Sequence, residues 1–214
     1  MLMKLVSDME EKQMRESFYE LYNDFAKRAE EKNREIRICF MDSQVRFFSK
    51  EMISFVVSEC LMEDVETIFK LKNEGFSDRY TDCIIRNMCE QVIEYIYIMN
   101  HSELIPEYFG ENIKDEWNGT NLFKGLKRTG GARFKERKSV SEMSVDIGEK
   151  ISDDEKISLY DIYSLKAEFE YNSYFHHMLN TLCYVNDENE SAEEMDYMYL
   201  IYILVAFIKT YYTV

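Results

Sequence analysis

Turn-forming residues are confined to one part of this chain. Its single proline is Pro106, and six of its seven glycines (Gly110, Gly119, Gly125, Gly130, Gly131 and Gly148) lie between residues 110 and 148. Proline and glycine punctuate turns, and a fold of many short strands needs turns at regular intervals. Their scarcity elsewhere in 214 residues leaves long stretches that long helices use best. Hydrophobic residues make up 46% of the chain, which excludes intrinsic disorder. The expectation is an all-α fold with one domain over residues 1–214. Its simplest form is an antiparallel bundle of about five long helices plus short ones, with an irregular basic loop near 118–138.

Apolar periodicity places the helices. Phe18, Leu21, Tyr22, Phe25, Ala26 and Ala29 recur at helical spacing and predict an amphipathic helix over residues 3–33. Phe48, Met52, Phe55, Val56, Val65, Ile68 and Phe69 predict a second over 36–73, with a break near Asp64 and Glu66 and a stop at Gly75. Ser77 caps a third helix through Met99, and short turns follow over 102–117. Ser139 with Glu142 forms a capping-box pattern before a short helix ending near Gly148. A further long helix is expected from Ser152 or Asp153 to about Val185, then an acidic turn (NDENE). Ser191 with Glu194 repeats the capping-box pattern and opens the last helix.

Residues 197–208 (YMYLIYILVAFI) are twelve consecutive apolar or tyrosine side chains. A membrane span needs about 20, so this run reads as a buried core helix whose tyrosine hydroxyls need partners. Cys39, Cys60, Cys83, Cys89 and Cys183 form no CxxC pair and no zinc-ligand spacing, which fits reduced thiols in a cytoplasmic protein. The N-terminal residues MLMKLVSDMEEKQ turn acidic before an apolar core develops, so no signal peptide is expected. No metal, cofactor or membrane association is expected.

The net charge of −15 disfavours broad contact of the body with nucleic acid or anionic membranes. Residues 124–138 (KGLKRTGGARFKERK) run against it, carrying seven basic residues and one acid, Glu136, a local net of +6. Lys124, Lys127, Arg128, Arg133, Lys135, Arg137 and Lys138 are therefore the candidate binding residues. Phe123 and Phe134 flank the run and could stack bases. Thr129-Gly130-Gly131 is not a phosphate-binding loop, because no GK[ST] closes it. Three readings stay open: a solvated or self-docked loop, a protein contact, and a nucleic-acid contact.

Two polar constellations stand out on helices. Arg86 and Glu90 lie one turn apart in a largely apolar stretch (CIIRNMCEQVIEYIYIM), with Glu94 and Tyr97 continuing the face. They are either an ion pair fixing helix register or part of a ligand-binding groove. Glu170, Tyr174 and His177 share another face, where a carboxylate and an imidazole could do acid–base work. Arg86, Glu90, Glu170 and His177 are the weak catalytic candidates; core or helix-packing roles are the plainer reading of both sets. His101 follows the third helix, where a cation suits the helix C-terminus.

The segment FSDRYTDCIIRNMCEQVIEYIYI, with its Arg86–Glu90 pair, resembles the arginine-plus-glutamate helix of a bacterial family of all-helical proteins of unknown function. The block SVSEMSVDIGEK…LYDIYSLKAEFEYNS resembles that family's second signature, a short helix followed by a tyrosine- and serine-bearing helix. The two matches span roughly residues 65–175. Where the family shows a histidine in its second block, this chain has Glu168 or Tyr171. The resemblance implies a helical bundle that brings Arg86, Glu90 and the Tyr163–Tyr171 face together, in a setting of bacterial stress or phage defence. The resulting expectation is a protein acting through contact with an unidentified protein partner, with a homodimer as a further expectation. The alternative is an RNA-directed nuclease or RNA-binding protein using a polar cleft beside the basic loop.

Overall fold

The computed structural model describes residues 11–42, 49–76, 78–105, 138–150, 157–171, 178 and 189–214. Among these residues every regular element is helical, and the all-α expectation holds. The elements are α1 (Glu11–Met41), α2 (Lys50–Asn73), α3 (Asp78–Asn100), a 3₁₀ turn (Ser102–Leu104), α4 (Val140–Asp146), α5 (Leu159–Tyr171) and α6 (Asn189–Tyr211).

The helix α1 buries Phe18, Tyr22, Phe25, Ala29, Asn33 and Ile36, one continuous stripe at three- and four-residue steps. The boundary expected at 33–36 is absent, and the helix runs on to Met41. Asn33 often ends helices by bonding its own backbone. Here its side-chain amide donates to Ser58 Oγ (3.0 Å) and Glu59 Oε1 (2.8 Å) instead, so it is a packing residue.

The second helix starts at Lys50 rather than at 36. Its N-cap is Ser49, whose hydroxyl accepts from the Met52 amide at 3.2 Å. No break occurs near Asp64, because Val65 and Ile68 are fully buried there and hold the helix on the core. Gly75 ends it as expected, at φ +70°, while the Phe76 amide donates back to the Leu71 carbonyl at 3.0 Å.

Cross-helix contacts give the directions. Phe18 meets Phe69 while Asn33 meets Ser58, so α1 and α2 are antiparallel. Lys50 reaches the Met99 carbonyl and Ser54 the Tyr95 hydroxyl while Gln91 reaches Asp64, so α2 and α3 are antiparallel. Opposite α3, Arg86 faces Tyr163 and Asp82 faces Lys166, which runs α5 antiparallel to α3. The last helix, α6, closes the bundle alongside α1 and α3: Tyr197 packs on Phe18, Phe207 on Phe25 and Tyr95, and Tyr211 on Phe25. The long helices thus alternate in direction along the chain.

The run 197–208 is a core helix. Leu200, Ile203, Leu204 and Phe207 are fully buried, each contributing roughly 1.5–3 kcal/mol. Within the run the Tyr202 hydroxyl donates to Glu149 (3.1 Å), and one turn beyond it the Tyr211 hydroxyl donates to Asn33 (3.0 Å). No described helix is long and apolar enough to cross a membrane. Cys39, Cys60, Cys83 and Cys89 are free thiols; Cys183 lies outside the described residues.

Candidate functional site

The short helix α4 is built as its sequence implies. Ser139 accepts from the Glu142 amide (3.2 Å), and the Glu142 carboxylate accepts from the Ser139 amide (2.8 Å). Hydrogen bonds from the Ser139 backbone and side chain hold the Glu142 carboxyl below its ordinary range. Met143, fully buried, fastens this turn to the core.

Capping and packing of α4 set Asp146 against the end of α3. Asp146 Oδ2 lies 2.8 Å from His101 Nε2 and 3.3 Å from Lys138 Nζ. His101 Nδ1 lies 3.5 Å from Glu103, and its ring sits 4.6 Å from that of Tyr97. The Lys138 ammonium also lies 5.1 Å from the Tyr97 ring centre, a cation–π contact. The hydrogen bond to Asp146 holds the Lys138 ammonium above its ordinary range, and the same bond holds the Asp146 carboxyl below its own. His101 therefore takes the helix-terminal place expected of it and joins a cluster of charges.

Lys138 is the one member of the basic run among the described residues; Lys124, Lys127, Arg128, Arg133, Lys135 and Arg137 lie outside them. The described chain stops at Ile105, buried four residues after His101, and resumes at Lys138, bonded to the same carboxylate as His101.

Arg86 and Glu90 do meet, with Arg86 Nη2 3.8 Å from Glu90 Oε2. The guanidinium also contacts Tyr163 of α5, donating to its hydroxyl at 3.5 Å and lying 5.2 Å from its ring centre. This joins α3 to α5 through one flat cation. Glu170 belongs to α5, but its side chain and the whole of His177 lie outside the described residues, as do Tyr174 and His176.

The polar feature that sequence reading missed lies deeper. Lys166 Nζ of α5 donates to Asp82 of α3 and, at 2.8 Å, to Asp196 of α6. The other oxygen of Asp196 pairs with Lys72 of α2 at 2.9 Å. Asp82, Lys166 and Asp196 are each no more than 6% exposed. Burial alone would push the Lys166 ammonium down, but the carboxylates of Asp196 and Asp82 outweigh it and hold it above its ordinary range. Burial would likewise push Asp196 up, but Lys166 and then Lys72 hold it down. Two lysines and two carboxylates meet here and join four helices. The two carboxylates make the Lys166 ammonium hold its proton more tightly than a free lysine does.

The signal for this network was present in the periodicity. Lys166 continues the buried stripe of Leu159 and Ile162, a charge at a position where an apolar side chain belongs. Asp196 likewise leads the stripe of Leu200, Ile203 and Phe207.

Among the described residues, no group of three or more His, Cys, Asp or Glu side chains is placed to hold a metal ion. Compared with protein-family models, curated proteins and solved structures, the chain has no match in any of the three.

Proposed function

We propose that this protein works through protein–protein contact, with the helical bundle as a scaffold and the basic run 124–138 as the contact element. The observation that carries the reading is the fastening of Lys138, the last residue of the run, to Asp146 beside His101. Six further cations of the run lie within fourteen residues of it in sequence. The net charge of −15 makes an acidic nucleic acid a poor general partner for the body, whereas a protein with an acidic patch can meet the cations alone. Exposed apolar side chains at the end of α1, Ile38 and Met41, offer contact area of the kind such interfaces use. The resemblance to bacterial helical proteins adds a cytoplasmic setting in stress or phage defence.

The test is a variant with Lys124, Lys127, Arg128, Arg133, Lys135 and Arg137 all replaced by Ser. It should keep the helical circular-dichroism spectrum and lose a partner that the unaltered protein captures on crosslinking in cells. Retained capture removes the basic run from the reading. The RNA alternative is decided by anisotropy with labelled single-stranded RNA. Binding that falls steeply with salt and disappears in the same variant would replace the protein-contact reading.

A further inference from the structure

We infer that the second half of α5 is a charge-matched latch, closed only while Lys166 is seated between carboxylates from α3 and α6. The first half of α5 is held by fully buried apolar side chains, Leu159 and Ile162. From Tyr163 to Glu168 the pattern changes. Tyr163, Ser164, Leu165 and Ala167 are half-buried, Glu168 is exposed, and the buried side chain is Lys166. Tyr163 and Leu165 pack against the core only in part, and the one side chain of this half that is buried is held by ion pairs.

An ionic anchor differs from an apolar one in needing its counter-charges in place. Lys166 bonds Asp82 and Asp196, from two different helices. An ammonium so deeply buried is stable only when its charge is matched and its donors are used. If α6 shifts, Asp196 goes with it and takes its pairing with Lys72 along. Lys166 then faces an unbalanced interior, and its half of α5 is released towards water. A leucine at position 166 opposite uncharged partners would carry no such condition. The latch thus makes the docking of α5 depend on the seating of α6, although the two helices touch little otherwise.

Charge balance makes a specific pattern of variants. Asp82→Asn or Asp196→Asn leaves Lys72 and Lys166 facing one carboxylate. Lys166→Met leaves two carboxylates facing Lys72. The double variant K166M/D82N is balanced again, because Asp196 keeps Lys72 and the α5 position becomes apolar.

Hydrogen–deuterium exchange on the purified full chain reads the latch directly. In each single variant, peptides covering 163–168 should exchange at least about tenfold faster, while peptides over residues 88–98 of α3 keep their protection. K166M/D82N should restore protection at 163–168 to that of the unaltered protein. Unchanged exchange at 163–168 in the single variants would overturn the latch. So would an equal rise over 88–98, which would make the network a support of the whole fold, or a double variant as open as the singles.

Discussion

Tyr211, in the last turn of α6, donates its hydroxyl to Asn33 Oδ1 of α1 at 3.0 Å, joining positions 178 residues apart inside the core. Asn33 also exchanges hydrogen bonds with Ser58 of α2, so one amide ties three helices together. Lys32 strengthens the same seam, donating to the Tyr211 carbonyl at 2.8 Å at the negative end of the helix dipole. An Asn33→Ala variant leaves buried polar groups of Ser58 and Tyr211 short of partners. It should destabilise the fold by about 2–3 kcal/mol, read from urea denaturation. Tyr211→Phe removes one bond while Asn33 keeps Ser58, and should cost about 1 kcal/mol. Equal effects would show that the amide is not the hub.

The buried tyrosines make the fold sensitive to alkali. Burial pushes the hydroxyls of Tyr22, Tyr95 and Tyr211 up to about 12. In the unfolded chain they titrate near the ordinary tyrosine value of 10.0. The folded state therefore holds these protons more tightly, and that contribution is complete below about pH 10. It is lost as pH rises through about 12. Followed together from pH 9 to 13, tyrosinate absorbance should rise in two stages, exposed rings such as Tyr80 first and a second stage coinciding with loss of the helical circular-dichroism signal. Complete tyrosine titration before helix loss would contradict the burial.

Asp64 acts in the opposite part of the pH scale. Burial, the largest influence, and the nearby Glu63 raise its carboxyl from 3.8 to about 6, against a hydrogen bond from Gln91 at 3.4 Å. The folded state prefers the protonated acid, so stability contributed below the unfolded value is lost as pH rises through about 6. Asp64→Asn keeps an acceptor for Gln91 and removes the charge. It should stabilise the protein by about 0.5–1 kcal/mol at pH 7.5, after solvent screening of a half-exposed group is allowed for. The gain should vanish near pH 4, and thermal melts at both pH values check it.

Removing the Ser139 hydroxyl tests how the corner is held. Ser139→Ala deletes the N-cap of α4 and should cost about 1 kcal/mol. The loss should centre on the amides of 140–146, next to the anchor of Lys138. Amide exchange resolved by residue would detect it, and a uniform loss across the bundle would argue against a local cap.

Phe207→Ala tests the centre of the core, where its ring packs on Phe25, Tyr95 and Tyr211. The truncation should destabilise by about 3–5 kcal/mol. A loss below about 1 kcal/mol in chemical denaturation would mean that the rings collapse to fill the space.

Much of the fold was legible before any coordinates. The stripes of Phe18, Tyr22, Phe25 and Ala29 in α1 and of Val65 and Ile68 in α2 face the core as their spacing required. Ser139–Glu142 and Gly75 ended or began helices through local chemistry, which sequence states directly. Boundaries without such a marker were misplaced. The α1–α2 boundary fell beyond Met41 rather than near Asn33, because the partners of Asn33 come from a different helix. The start of α5 fell at Leu159, where Ser158 and Asp161 exchange cap hydrogen bonds, rather than at Ser152 or Asp153. The last helix starts at Asn189, two residues before the expected Ser191.

Sequence by itself determined the helical class, the sides that turn inward, and the Arg86–Glu90 pair, because each follows from spacing along one helix. Only the tertiary structure decided that Lys166, Asp82, Asp196 and Lys72 meet, and that His101 and Lys138 share the Asp146 carboxylate. The physical reason is range. Helical periodicity and capping act over a few residues, whereas a buried charge is stabilised by partners brought from anywhere in the chain. Periodicity sets Lys166 on the inward stripe of α5, but not the two carboxylates, 84 and 30 residues away, that meet it there.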